Sequence, residues 1–302
     1  MINVFIDGSA GTTGLRIHER LAERKEIRLL SLPEALRKDP MARKDMLSQA
    51  DIAFLCLPDD AARESAALAG GNGKIIDTST AHRCSDAWAY GFPELKGLRE
   101  KIRVSSRVAN PGCHASGFVA LVAPLVQSGI LTGKESLTCF SLTGYSGGGK
   151  KMIAQYEDPQ NKQALLAPRQ YGLTQSHKHL PEMVKLCGLE KAPVFCPIVG
   201  NFYAGMEVTV PLTGVAPQLL RQVYGDYYTD GLVRVDHSDD GDGMLSAGAF
   251  AGRDDLQLGV YGNEERCLLV ARFDNLGKGA SGAAIQNMNI LLGLPESTGL
   301  HV

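Results

Sequence analysis

Two signatures are missing at once from this 302-residue chain: an apolar run long enough to span a bilayer, and an excess of charge of either sign. Its hydrophobic stretches are broken every few residues, well short of the roughly 20 that a membrane helix needs. Lys and Arg number 31 against 33 Asp and Glu, a net charge of −2, so there is no basic footprint for nucleic acid or for an anionic membrane. No low-complexity tract occurs, and no repeat at solenoid spacing. Cys-x-x-Cys pairs are absent as well. The seven cysteines, an odd count, stand scattered at 56, 84, 113, 139, 187, 196 and 267, which argues against a disulfide framework. The N-terminus goes straight into a strand pattern with neither a basic leader nor a cleavage site. These absences predict a soluble, cytoplasmic protein of small-molecule chemistry, with no nucleic-acid or membrane partner.

The length suits two domains, each with its own core. Short apolar runs at Ile2–Ile6, Ile27–Leu30, Ile52–Leu57 and Lys74–Asp77, with a helical pattern at Leu15–Ala22 and Val104 leading towards residue 113, read as βαβ units with a parallel sheet. Beyond residue 113 the strands lengthen, at Leu137–Leu142, Gly205–Leu212 and Arg266–Phe273, and predict a mixed or antiparallel sheet. The fold class is therefore α/β: a Rossmann-like dinucleotide-binding domain over 1–112, and an α+β catalytic and oligomerisation domain over 113–279. A terminal helical run from Ala280, counted as 280–302, is expected to cross back to the first domain.

Glycines punctuate the first strand-to-helix turn, Gly8-Ser9-Ala10-Gly11-Thr12-Thr13-Gly14. The spacing departs from G-x-G-x-x-G, but the mechanics are shared: glycines let the backbone approach a pyrophosphate, and helix N-terminal amides hold it. Gly8, Ser9, Gly11, Thr12, Thr13 and Gly14 are the candidate cofactor residues. Further on, Asn110-Pro111-Gly112-Cys113-His114 sets a single cysteine at the start of a helical run, Ala115–Leu131. The positive end of a helix dipole favours thiolate there, the nucleophilic form. Taken alone, Cys113 is equally readable as a small buried hydrophobe. A dinucleotide loop and a thiol together favour the nucleophile, because both are needed when an acyl group held as a thioester is exchanged with an aldehyde by hydride transfer. Cys56 and Cys139, inside apolar runs, read as inert core.

With these motifs stand Asp77-Thr78-Ser79-Thr80-Ala81-His82-Arg83, Tyr90-Gly91-Phe92-Pro93-Glu94, Tyr145-Ser146-Gly147-Gly148-Gly149-Lys150, His177-Lys178-His179-Leu180-Pro181-Glu182 and Asn275-Leu276-Gly277-Lys278-Gly279-Ala280. In this order, over residues 8–287, the chain resembles the shorter-form N-acetyl-gamma-glutamyl-phosphate reductases of arginine biosynthesis. Aspartate-semialdehyde dehydrogenases share the architecture but usually place Asn, not Gly, before the cysteine. The resemblance implies Cys113 as nucleophile and one of His177 and His179 as acid–base partner. Pro181 suits a helix start, which sets His179 just before a helix and favours it. The implied reaction forms a Cys113 thioester from an acyl phosphate, reduces it to a thiohemiacetal and releases the semialdehyde. Arg83, Asn110, Gly147 and Lys150 are placed at the substrate, and Asn275 and Gly279 at the cofactor; a homo-oligomer is expected.

Three other readings are set aside. Zinc at the histidine pair would need ligands that only distant Cys187 and Cys196 offer, so no metal is expected. Gly144–Lys150 reads G-x-x-x-x-G-K, but Lys151 stands where a nucleotide-binding loop has Ser or Thr; backbone donors and Lys150 meeting a substrate anion fit better. Asp236–Gly241 begins like a calcium loop, yet position twelve is Ala247. His114 is read as structural, since helix neighbours do not face each other. For the nicotinamide, the second strand ends near Ser31 with Arg37 and Lys38 following, which favours NADP; Glu34 against the ribose would favour NAD.

Overall fold

Apolar strands and helices alternate through the first third of the chain, and the computed structural model, which describes residues 1–71 and 73–302, folds them into one unit comprising Met1–Pro111 and Ala280–Leu300. Its elements are β1 (Ile2–Asp7), α1 (Thr12–Ala22), β2 (Ile27–Leu30), α2 (Pro40–Gln49), β3 (Ile52–Leu55), α3 (Asp59–Ala69), β4 (Lys74–Asp77), β5 (Ala89–Tyr90), α4 (Leu98–Val104) and β6 (Arg107–Ala109). The six strands pair in the order β2-β1-β3-β4-β6-β5, all parallel. Because β1 has β2 on one side and β3 on the other, the strand order reverses at β1, where open parallel sheets take their ligands.

The second unit, Gly112–Gly279 with His301–Val302, holds α5 (Cys113–Gln127), β7 (Thr138–Gly144), α6 (Gly149–Glu157), β8 (Arg169–Gln170), α7 (Leu180–Cys187), β9 (Val194–Gly200), β10 (Met206–Thr213), α8 (Pro217–Tyr227), β11 (Val233–Val235), β12 (Leu256–Gly262) and β13 (Arg266–Phe273). Its seven strands run β11-β12-β13-β10-β7-β9-β8 as a mixed sheet. β7 and β9 are parallel, as are β11 and β12; the other neighbours are antiparallel. A π-turn at Gly277–Ser281 then leads into α9 (Gly282–Leu291), which belongs to the first unit.

Side-chain alternation explains both cores. In β1, Val4 and Ile6 face Ile17 and Leu21 of α1 together with Ile285 and Met288 of α9. Phe5 turns the other way, onto Leu47 of α2 and Ala62 of α3. Both faces are covered, so these strands read as continuous apolar runs. In the second unit α5 lies on β10: a Cβ at Gly117 would sit 2.5 Å from Val208 Cγ2, so only glycine admits that approach. The opposite face of the same sheet stays open, with Phe140 46 % and Leu268 45 % exposed while their neighbours Cys139 and Leu269 are fully buried.

Local differences from the sequence reading have local causes. The helix expected at Ala115–Leu131 runs Cys113–Gln127, and Gly129, at φ +77°, follows its end. Val104 closes α4 rather than starting a strand; the strand is Arg107–Ala109. The terminal helix stops at Leu291, two residues before Gly293 (φ +69°), and residues 301–302 leave the first unit because Asp254 and His301 exchange hydrogen bonds of 2.7 and 2.9 Å. Among the described residues no helix is long and apolar enough to cross a membrane.

Candidate active site

In the first unit a cleft of about 320 Å³ opens at the carboxyl ends of β1 and β2. Asp7, Gly8, Ser9 and Ala10 line one part of it, and Ser31, Arg37 and Lys38 another. Gly8 has φ +91°, and a Cβ there would lie 2.3 Å from Cys56 O, so glycine is obligatory at the turn. Gly14 comes equally close: its Cβ would be 2.5 Å from Gly8 O. Helix α1 begins at Thr12 with no side-chain cap and no acidic residue in its first turn. Its N-terminus is thus suited to a pyrophosphate, and the residues present fit a dinucleotide. Glu34 is exposed in the short 3₁₀ turn that follows and does not line the cleft.

Cys113 is the first residue of α5 in the second unit. Gly112, its N-cap, is extended, and no acidic residue occupies the first helical turn, so nothing on the helix itself opposes a thiolate. Cys113 is half-buried. Gly279 backs directly onto it: a Cβ at Gly279 would stand 2.9 Å from Cys113 Cβ. Gly279, expected at the cofactor, thus lies beside Cys113. Cys139 is buried with its thiol pKa pushed up by burial, and that of Cys56 is pushed up to about 12 by the same cause, though Cys56 keeps partial exposure.

His177 and His179 come together on the loop entering α7. Their rings lie 4.7 Å apart, nearly perpendicular, and His179 N donates to His177 Nδ1 at 3.2 Å. His179 is the N-cap residue of α7 and is buried; His177 is half-buried. Behind them sits His114, 5.4 Å from the His177 ring and 5.5 Å from the His179 ring. Its Nδ1 meets Ser141 Oγ and its Nε2 meets Tyr171 OH, both at 2.7 Å. Burial, and then the neighbouring His177 and Lys178, pull its pKa down to about 3, so it stays neutral. The Tyr171 hydroxyl is pushed up, first by burial and then by Cys113 nearby. Tyr171 and Ser141 escaped the sequence reading, as did Glu182. That buried carboxylate accepts from Gly112 N at 3.2 Å and so holds the residue before Cys113. Its only signal was its place in the His-x-His-x-Pro-Glu motif. No group of three or more His, Cys, Asp or Glu among the described residues is arranged to hold a metal ion.

A neutral buried His114 has a consequence for acid stability. Unfolding returns it to an ordinary value near 6.5, so below that pH the unfolded chain takes up the proton first. The contribution is complete above about 6.5 and falls away towards about 3, by up to about 1.4 kcal/mol per pH unit. Urea midpoints of the unaltered protein and His114→Asn, measured at about pH 7.5 and about pH 5, should draw closer on acidification. A gap that stayed constant would remove this account.

The residues expected at the substrate are spread over different settings. Arg83 is buried in the first unit, donating to Asn110 O at 2.9 Å and Thr78 O at 3.0 Å. Asn110 is 1 % exposed; its amide donates to Ala280 O at 3.0 Å and accepts from Asn287 Nδ2 at 3.1 Å. Lys150 is exposed in the first turn of α6, and Gly147 is exposed in the turn before it. Of the backbone donors expected in that loop, the amides of Gly144, Tyr145 and Ser146 are spent on Gly205, Phe202 and Tyr203. Asn275, expected at the cofactor, is buried in the second unit, accepting from Gly205 N and donating to Ser146 Oγ, both at 2.9 Å.

Against known proteins, residues 29–105 match the family model "Semialdehyde dehydrogenase, NAD binding domain" and residues 113–275 match "Semialdehyde dehydrogenase, dimerisation domain". A protein of Rhizobium meliloti called N-acetyl-gamma-glutamyl-phosphate reductase is 48 % identical over 96 % of this chain and 98 % of its own length. One of Nostoc sp., N-acetyl-gamma-glutamyl-phosphate reductase 2, is 45 % identical over 98 % of each. Among solved structures, aspartate semialdehyde dehydrogenase II from Vibrio cholerae superposes with a TM-score of 0.74 over 97 % of this chain and 99 % of that one, at 17 % identity, a likeness of fold alone.

Proposed function

The chain belongs to the N-acetyl-gamma-glutamyl-phosphate reductase family, and from that we propose that it reduces N-acetyl-glutamyl 5-phosphate to the 5-semialdehyde with NADPH, through a thioester on Cys113, as a step towards arginine. The observation that carries the mechanism is Cys113 at the first position of α5, in the same unit as the His177–His179 pair. The thiolate attacks the acyl-phosphate carbonyl, the bond to phosphate breaks, and the acyl group stays on sulfur. The bound dinucleotide supplies hydride. Once the acyl group is at the thiohemiacetal level, the carbon–sulfur bond breaks, the semialdehyde leaves and Cys113 is regenerated. His179 manages the proton at the thiol and at the collapsing oxygen. The N–H groups at the start of α5 stabilise the developing oxyanion. Arg83 and Lys150 are the proposed partners of the substrate's anionic groups.

Gly8, Ser9, Gly11, Thr12, Thr13 and Gly14 would hold the pyrophosphate of the dinucleotide, and Ser31 with Arg37 and Lys38 its 2′-phosphate. Two cations in the cleft and Glu34 outside its lining support NADP. The second unit, matched by a dimerisation model, carries the proposal of a homo-oligomer; a strictly monomeric species in solution would sink that part.

A spectrophotometric assay with N-acetyl-glutamate 5-semialdehyde, phosphate and oxidised cofactor tests the whole reading. Aspartate semialdehyde, run alongside, should be the far poorer substrate. NADP is expected to exceed NAD in kcat/KM by at least about tenfold, a difference of about 1.4 kcal/mol. Arg37→Glu combined with Lys38→Glu should erase or invert that order. A clear NAD preference in the unaltered protein would put Glu34 at the ribose.

A further inference from the structure

Asp7, the last residue of β1, is an acid among the residues lining a cleft whose other charged residues, Arg37 and Lys38, suit anions. An acid there opposes the phosphates of any dinucleotide, unless something cancels it. The first unit supplies that from two helices. Arg43 of α2, itself 5 % exposed, reaches Asp7 Oδ2 with Nε and Nη2, each at 3.0 Å. Ser65 of α3 donates to the same oxygen at 2.6 Å. The remaining Arg43 side-chain contacts go to residues outside the cleft lining: Ala61 O at 3.4 Å and Glu64 Oε1 at 3.5 Å, the latter on an exposed side chain. Asp7 O also accepts from Cys56 N at 2.8 Å, which ties β1 to the residue after β3, just before the obligatory glycine.

We propose that Arg43 is a positioning residue for the dinucleotide: by neutralising Asp7 from beneath, it makes a carboxylate-lined cleft acceptable to the cofactor's phosphates. Asp7 gathers α2 and α3 onto the strand end and fixes the turn that Gly8 begins. Arg43 and Ser65 keep its charge from reaching the ligand. A buried pair that loses one partner leaves the other charge uncompensated, and here that charge would face the cofactor. The inference rests on this cleft being the dinucleotide site.

Calorimetric titration of NADP⁺ and NAD⁺ into the full chain, with thermal melts to establish folding, tests it. Arg43→Met should weaken NADP⁺ binding about tenfold, and raise KM for the cofactor while saturated turnover stays within about twofold. Asp7→Asn should bind NADP⁺ at least as tightly as the unaltered protein. The double variant Arg43→Met/Asp7→Asn should recover to within about threefold. A merely structural brace predicts the opposite: loss in Asp7→Asn and no recovery in the double variant, and either result overturns the proposal. Should Arg43→Met not fold, Ser65→Ala decides: binding weakened about two- to threefold supports the shielding, and unchanged binding overturns it. Failure of the unaltered protein to bind either dinucleotide would overturn the cleft reading itself, before any variant is compared.

Discussion

Cys113→Ser is expected to lower turnover by at least about ten-thousandfold while leaving NADP⁺ affinity within about twofold. A serine hydroxyl at the first position of α5 gains the same favourable dipole as the thiol. That gain is too small to ionise it, because an alcohol begins many pKa units above a thiol. The glycine loop and the cationic cleft belong to the first unit, whereas Cys113 belongs to the second. Chemistry and cofactor binding should therefore separate cleanly in this variant. The measurement is phosphate-dependent cofactor reduction, paired with calorimetric NADP⁺ binding. Turnover within tenfold of the unaltered enzyme would remove the covalent mechanism. Cys56→Ser and Cys139→Ser serve as contrasts, since their raised thiol pKa values keep both protonated at neutral pH.

His179→Asn should reduce turnover by about a hundred- to ten-thousandfold, the usual worth of general acid–base assistance, and His177→Asn by much less. The two rings are close enough that sequence alone leaves them exchangeable, but their hydrogen bonding is not symmetrical. His177 offers Nδ1 to the backbone N–H of His179, so part of its task is to fix the loop that enters α7. An asparagine at 177 retains an acceptor for that task. His179, at the helix N-cap, is the residue so placed. Neutral His114 behind both rings adds no positive charge of its own. Steady-state rates for both variants across pH, with melts to confirm folding, decide the assignment. A larger loss in His177→Asn would exchange the two roles.

How much of this could be read in advance depended on how far apart the interacting residues lie. β2, β4 and β13 were legible to the residue, because each is a short apolar run closed by a polar or glycine-containing turn. α2 was not: it has no apolar stripe, its buried positions being Arg43 and Leu47, and the available signal was Asp39 before Pro40, a cap whose side chain accepts from Ala42 N at 2.8 Å. β9 was obscured by Pro197, which belongs on edges, yet here sits within a paired strand. In the site, Cys113 and the His177–His179 pair announced themselves through local motifs. The Ser141–His114–Tyr171 chain did not, since its members are 27 and 57 positions apart, and no periodicity links them. The clamp on Asp7, spanning 36 positions to Arg43 and 58 to Ser65, was hidden for the same reason.

The backbone passes between the two units at Pro111–Gly112, at Gly279–Ala280 and finally at Leu300–His301. Cys113 follows the first passage by one residue, and Gly279, which ends at the second, packs against the Cys113 side chain. A chimera exchanging Gly112–Gly279 for the segment of a relative is therefore spliced at the first two passages, and both seams fall beside Cys113. Cutting there disturbs a spot where, as at Gly8, Gly14 and Gly117, an added methyl group is not tolerated. Recombination of whole units is thus a poor route to a new acyl specificity in this architecture, and change should instead accumulate in the loops between strands of the second sheet, far in sequence from either seam.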